Sequence, residues 1–190
     1  MSKPTVLIVP GLRDHVAQHW QTGLEARLRA AGRPVAAVAP MGRDDLDCDT
    51  KVAAIEHIAK AVEGPIVIVA HSAGCIMLAH WARTTGRAVQ GALLAVPPDF
   101  ESPMPEGYPA LAALEAAGWL PVPRAPLPFR SIVGASRNDP LASFDRVRGL
   151  ATAWGSELVD LGDVGHLNPA SGHGDWPQAE QFIARLATLA

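Results

Sequence analysis

Short runs of Val, Ile and Leu recur along this chain, and longer Ala-rich stretches with a helical period separate them. A strand that is apolar on both faces must be covered on both, which is the condition of a parallel sheet flanked by helices. The alternation predicts βα units and an α/β fold, a three-layer α/β/α sandwich with about six mostly parallel strands and no large cap domain. Strands are expected at Thr5–Val9, Val35–Ala39, Ile66–Ala70, Ala92–Val96, Ser131–Ala135 and Glu157–Leu161. Helices are expected near Gln18–Ala30, Thr50–Val62, Ala73–Thr84, Asp145–Trp154 and Pro177–Leu189. Gly32, Gly64, Gly86 and Gly155 follow four of them, as helix C-terminal caps do, and Pro177 suits a first turn.

At 190 residues, with 48% hydrophobic and 18% charged, the chain is expected to form one domain over residues 1–190 that buries about 70% of its unfolded surface. Disorder, coiled coil and collagen are excluded. Sixteen Lys and Arg face 19 Asp and Glu, for a net charge of −3. No basic run or stripe of the kind that neutralises phosphates is present, so nucleic acid is not an expected partner. Cys48 and Cys75 are too few for a disulfide framework, and Cys75 sits in an apolar segment as a buried thiol would. The opening Met1-Ser2-Lys3-Pro4 runs into Thr5–Val9, too short for a signal sequence, and no apolar run nears the ~20 residues of a membrane span. A cytoplasmic location without membrane contact is the expectation.

One region breaks the rhythm. Pro97 to Pro128 carries nine prolines, so regular helix or central strand is excluded, apart from two possible turns at Pro109–Ala117. The segment joins strands four and five, and it reads either as a plain connector or as a rim over the site, with Tyr108, Trp119 and Leu120 as pocket or core residues.

The most informative residues are Ala70-His71-Ser72-Ala73-Gly74, between the apolar Ile66–Val69 and the helical Cys75–Ala79. Strand, sharp turn and helix follow one another, the setting in which a serine hydroxyl is lifted above a sheet. The residues two before and two after that serine must be small, and Ala70 and Gly74 are; the pattern is G-x-S-x-G with Ala for the first Gly. The alternative is that Ser72 only caps the helix. A serine nucleophile needs an imidazole and a carboxylate to orient it. His166, in Gly165-His166-Leu167-Asn168 after the sixth strand, belongs at the same sheet edge, with His173 as runner-up. His15 and His19 follow strand one and could also approach, whereas His57 and His80 fall inside helices. For the acid, Asp139 in Ser136-Arg137-Asn138-Asp139-Pro140 is preferred, with Asp99 the rival and Asp163 reading as a turn residue. The loop Pro10-Gly11-Leu12-Arg13-Asp14 should supply Leu12 N–H as an oxyanion donor beside Ala73 N–H. Arg13 and His15 are candidate substrate contacts, a surface salt bridge being the ordinary role for Arg13.

Two rival functions stand beside this one. A nucleotide site lacks its phosphate cradle, since Pro10–Asp14 fits neither G-x-G-x-x-G nor the P-loop. A non-catalytic binding module on the same scaffold stays open. Asp163, His166, His173 and Asp175 have no recognised metal spacing, so no metal is expected.

Several segments taken in order resemble the small serine hydrolases of the retinoblastoma-binding-protein-nine and YdeN-like group, in the α/β-hydrolase superfamily. They are Val9-Pro10-Gly11 with His19-Trp20, Ala70–Cys75, Val96-Pro97-Pro98-Asp99, Leu127-Pro128-Phe129, Ser136–Pro140, and Gly165–Asn168 leading to Ser171–Pro177. The resemblance implies a triad at Ser72, Asp139 and His166, a small ester or amide (acyl) substrate, and no cofactor. Members of the group carry a Leu-x-Cys-x-Glu binding motif; Leu46-Asp47-Cys48-Asp49-Thr50 lacks its Glu, so that role does not carry over.

Overall fold

The computed structural model describes residues 3–188. Met1 and Ser2 of the opening segment, and Leu189 at the expected end of the last helix, lie outside the described residues. Six strands form one wholly parallel sheet: β1 (Thr5–Val9), β2 (Val35–Ala37), β3 (Ile66–His71), β4 (Gly91–Ala95), β5 (Ser131–Ala135) and β6 (Glu157–Asp160), in the order β2-β1-β3-β4-β5-β6. Six α-helices accompany them: α1 (Trp20–Ala30), α2 (Cys48–Ala61), α3 (Ala73–Trp81), α4 (Leu111–Ala116), α5 (Phe144–Trp154) and α6 (Gln178–Ala187).

The pleat divides each strand between two cores. Val6, Ile8, Val67, Val69 and Leu93 point to α1 and α6, where Trp20, Leu24, Phe182 and Ile183 are buried. Leu7, Val9, Ile66, Ile68 and Leu94 point the other way, to α2, α3 and α5 with Ile55, Ile76, Trp81, Val147 and Trp154. Right-handed crossovers account for the split, because the chain leaves β1 toward one edge and β3 toward the other, which puts α1 and α3 on opposite faces. The loops after β1 and β3 diverge at this reversal and leave a crevice at the carboxyl edge of the sheet.

β1 and β5 run as expected, and the other elements shift at one or both ends by one to three residues, four of them for a plain local reason. β2 stops at Ala37, ahead of Pro40, which has no N–H to donate. β4 ends before Val96, whose φ of 46° breaks the extended run. α2 begins at Cys48 rather than Thr50 because Asp47 caps it, accepting the Thr50 N–H at 2.8 Å. α1 begins at Trp20 because His19 Nδ1 accepts the Gln21 N–H.

The proline-rich stretch covers the α2, α3 and α5 face. Phe100, Leu114, Trp119 and Val122 are buried there, and α4 is its one helical piece. Trp119 is therefore core rather than pocket; its Nε1–H donates to Leu46 O at 2.7 Å, and its ring meets Phe100 edge-on. Trp154 Nε1–H donates to Pro123 O at 2.8 Å and ties the far end of the segment to α5.

Candidate active site

Ser72 joins β3 to α3 with φ 56° and ψ −130°, a conformation that costs a non-glycine residue about 1–3 kcal/mol. The sequence forces it there. β3 is buried on both faces up to His71, and α3 begins at Ala73, so one residue must make the whole turn. The turn is also tight: a Cβ on Gly74 would lie 2.7 Å from Pro10 O and 2.8 Å from Val9 O. Gly11 lies equally close on the other side, where a Cβ would come 2.9 Å from Ser72 Cβ. Ala70 is fully buried in β3, paired with Val9 and Leu94, so the methyl group at the first small position fits without displacement. Ser72 makes no side-chain cap bond to α3, which removes the capping alternative.

Its hydroxyl lies 2.7 Å from His166 Nε2, and His166 Nδ1 lies 2.8 Å and 3.0 Å from the two Asp139 oxygens. With Nδ1–H donating to the carboxylate, Nε2 is the bare nitrogen and accepts the serine O–H. Both side chains are almost wholly buried, at 4% exposure for His166 and 1% for Asp139. Each is held from several directions. Leu141 N–H donates to Asp139 Oδ1 at 2.8 Å. The His166 amide donates to Ser171 Oγ, its carbonyl accepts from His71 Nε2–H at 3.0 Å, and Asn138 Oδ1 accepts the Gly165 N–H. Ser72, Asp139 and His166 thus come from three sheet-edge loops to one point. Leu167, at φ 47°, shares with Ser72 and Val96 the left-handed backbone at this edge.

The other expected candidates fall elsewhere. Asp99 is bound by Arg146 at 2.8 Å through both oxygens and by Ser102, and that pairing holds its carboxyl below the usual range despite its burial. Asp163 is exposed. His15 is exposed and borders a separate cleft, His57 is exposed on α2, and His80 is bonded to Trp119 O. His173 is half-buried, with no bond to Ser72 or His166. Asp175 pairs with Arg27, and among the described residues no three His, Cys, Asp or Glu side chains gather as a metal site would need.

A cavity of about 300 Å³ opens over Ser72, lined by Leu12, Arg13, His19, Arg43, Tyr108 and His166 among others. Neither the Leu12 amide nor the Ala73 amide donates within a turn, loop or cap among the described residues, and Ala73 stands in the first turn of a helix, where amides have no intrahelical acceptor. Both are free to receive an oxyanion. Arg13 has no acid within salt-bridge distance among the described residues, so the surface pair expected for it is not formed.

Two further histidines line the cavity beside His166. The His71 ring lies 5.1 Å from His166 and 4.7 Å from His19. Burial pushes the His71 pKa well below its ordinary value, helped by the neighbouring imidazoles, and burial with the nearby Arg13 charge brings His19 down to about 3. Both are neutral at physiological pH. Sequence reasoning gave His71 no role, although a polar residue ending a buried strand beside Ser72 was the available signal. Arg43 and Asn168 carried none.

Residues 6–185 match the serine hydrolase family. A YdeN-like hydrolase from Pectobacterium atrosepticum is 28% identical with a TM-score of 0.80, over 97% of this chain and 91% of that one. The ydeN gene product of B. subtilis is 16% identical with a TM-score of 0.71, over 96% and 98%. A hydrolase of the alpha/beta superfamily from Xanthomonas campestris is 18% identical with a TM-score of 0.63, over all of both chains. Comparison with curated proteins finds no match. On the extent of the family match and the likeness to a YdeN-like hydrolase, the chain belongs to the serine hydrolase family, with the α/β-hydrolase fold.

Proposed function

We propose that this protein hydrolyses small esters or amides through an acyl-enzyme on Ser72. His166 Nε2 takes the hydroxyl proton as Oγ bonds to the acyl carbon, and Asp139 holds the imidazole and balances its charge. The Leu12 and Ala73 amides receive the oxyanion of the tetrahedral intermediate. Collapse expels the alkoxide or amine, which leaves with the proton from Nε2. Water then repeats the sequence and releases the acid. The observation that carries this reading is the unbroken chain of contacts from Ser72 Oγ through His166 to Asp139, with the serine held at positive φ. The small cavity favours a small-molecule substrate. We place the protein in the cytoplasm, where its two cysteines, both buried and unpaired, stay reduced.

A fluorophosphonate probe should label the wild type and not Ser72→Ala, and Ser72→Ala should lose roughly 10⁴-fold in turnover of a short-chain 4-nitrophenyl ester. Absence of labelling in the wild type would instead favour a binding module on a hydrolase scaffold.

A further inference from the structure

The cavity over Ser72 is lined by donors that are unpaired or that meet only neutral acceptors. Arg13 Nε is buried without a partner, and the rest of its guanidinium meets only neutral acceptors, Asp14 O at 3.1 Å and Gln21 Oε1 at 3.4 Å. Arg43 lies over the Tyr108 ring at 5.3 Å and donates to Gly107 O. Among the described residues no carboxylate pairs with either, whereas Arg146, on the far side of the sheet edge, has both Asp99 and Glu101. His19 is 2% exposed; Nδ1 accepts the Gln21 N–H, so Nε2 carries the proton, and it too is buried without an acceptor. All three line the cavity that holds Ser72. A partly desolvated guanidinium without a counter-charge is costly unless something supplies one, and the planar fork of arginine matches a carboxylate.

Resting on the hydrolase reading, we propose that the substrate is an ester or amide that carries a free carboxylate, held by Arg13 with Arg43 at the cavity mouth and His19 Nε2–H as a further donor. Beside Gly11 and Asn168, the side chains of Leu12, Val16, Pro169 and Ala170 give the wall an apolar share that suits a short apolar spacer between the carboxylate and the scissile carbonyl. His71 Nδ1, an acceptor without a partner in the same wall, is left for a water or a substrate N–H or O–H rather than for the anion.

The test compares matched esters, so that any disturbance of the neighbouring oxyanion donor slows both members and cancels. Mono(4-nitrophenyl) glutarate is set against its methyl ester for a carboxylate on the acyl side. The acetate ester of 4-hydroxybenzoate is set against its methyl ester for one on the leaving group. One charged member should exceed its neutral partner in kcat/KM by about 10-fold or more, as one charge-assisted contact allows. Arg13→Gln should bring the ratio close to one, Arg13→Lys should restore part of it, and raised salt should shrink it. Equal rates in both pairs, or a preference that survives both Arg13→Gln and Arg43→Gln, would overturn the proposal while leaving the hydrolase intact. Titrating glutarate into Ser72→Ala separates the two readings. Binding lost on adding Arg13→Gln supports the carboxylate site even if no ester is cleaved, and no binding counts against it.

Discussion

Ser72 carries backbone strain that its neighbours impose and that only a hydroxyl at that point can use. Replacing it with Gly should remove the strain together with the proposed nucleophile. Ser72→Gly is expected to be inactive yet more stable by about 1 kcal/mol, read as a higher urea midpoint at unchanged slope. Asp139 and Asp99 form a second contrast, since both are acids just beyond strand ends. Asp139→Asn should lower kcat/KM by roughly 10³–10⁴-fold, because an amide cannot balance an imidazolium and can leave His166 in the wrong tautomer. Asp99→Asn should leave ester turnover within about threefold and weaken the fold by about 1 kcal/mol through its pairing with Arg146. Activity and urea unfolding of the two variants, measured side by side, check the assignment. The sequence order of strand ends already favoured Asp139 over Asp99. What it could not reveal was Arg146, which comes from α5 to occupy the rival carboxylate.

At the scale of elements, the strands and long helices were readable because their signals are local: apolar runs for the buried sheet, a helical period for the layers, and glycines at helix ends. The proline-rich connection was not. Proline excludes regular structure without saying what replaces it, and the fate of Trp119 depended on whether Leu46, distant in sequence, came within reach of its indole N–H. Trp119 now holds that segment to the core, so Trp119→Ala should cost about 3–5 kcal/mol by urea unfolding. Tyr108, on the same segment, is 37% exposed and reaches the cavity, so the connection is both core cover and rim.

For the molecule as a whole, the reversal of direction between β1 and β3 is what gathers the site, because it opens the sheet edge where the Gly11 and Ser72 loops meet. In the wall of that crevice His19 and His71 are buried and neutral. Unfolded, both would take up protons near pH 6.5. Folded, His19 does so only near 3 and His71 also well below its ordinary value, so between those limits the unfolded chain binds more protons. Stability should therefore be fullest above about pH 6.5 and fall as the pH drops below it, by up to ~1.4 kcal/mol per pH unit for each histidine. Urea midpoints between pH 7.5 and 5 check this, and His19→Asn should flatten the slope. An acid-insensitive midpoint over that range would contradict the buried neutral pair.

By itself the sequence determined the layers and the parallel sheet and singled out Ser72, Asp139 and His166, which the fold brings into contact, since each signal depends on residues adjacent in the chain: a turn needing small neighbours, an acid and a histidine just past strand ends. Tertiary structure alone decided which polar groups share a space. The histidine cluster beside His166, the arginines left without acids at the cavity and the closing of Asp99 by Arg146 all join residues from separate elements. Burial and pairing arise only when those elements pack, so no local pattern carries them.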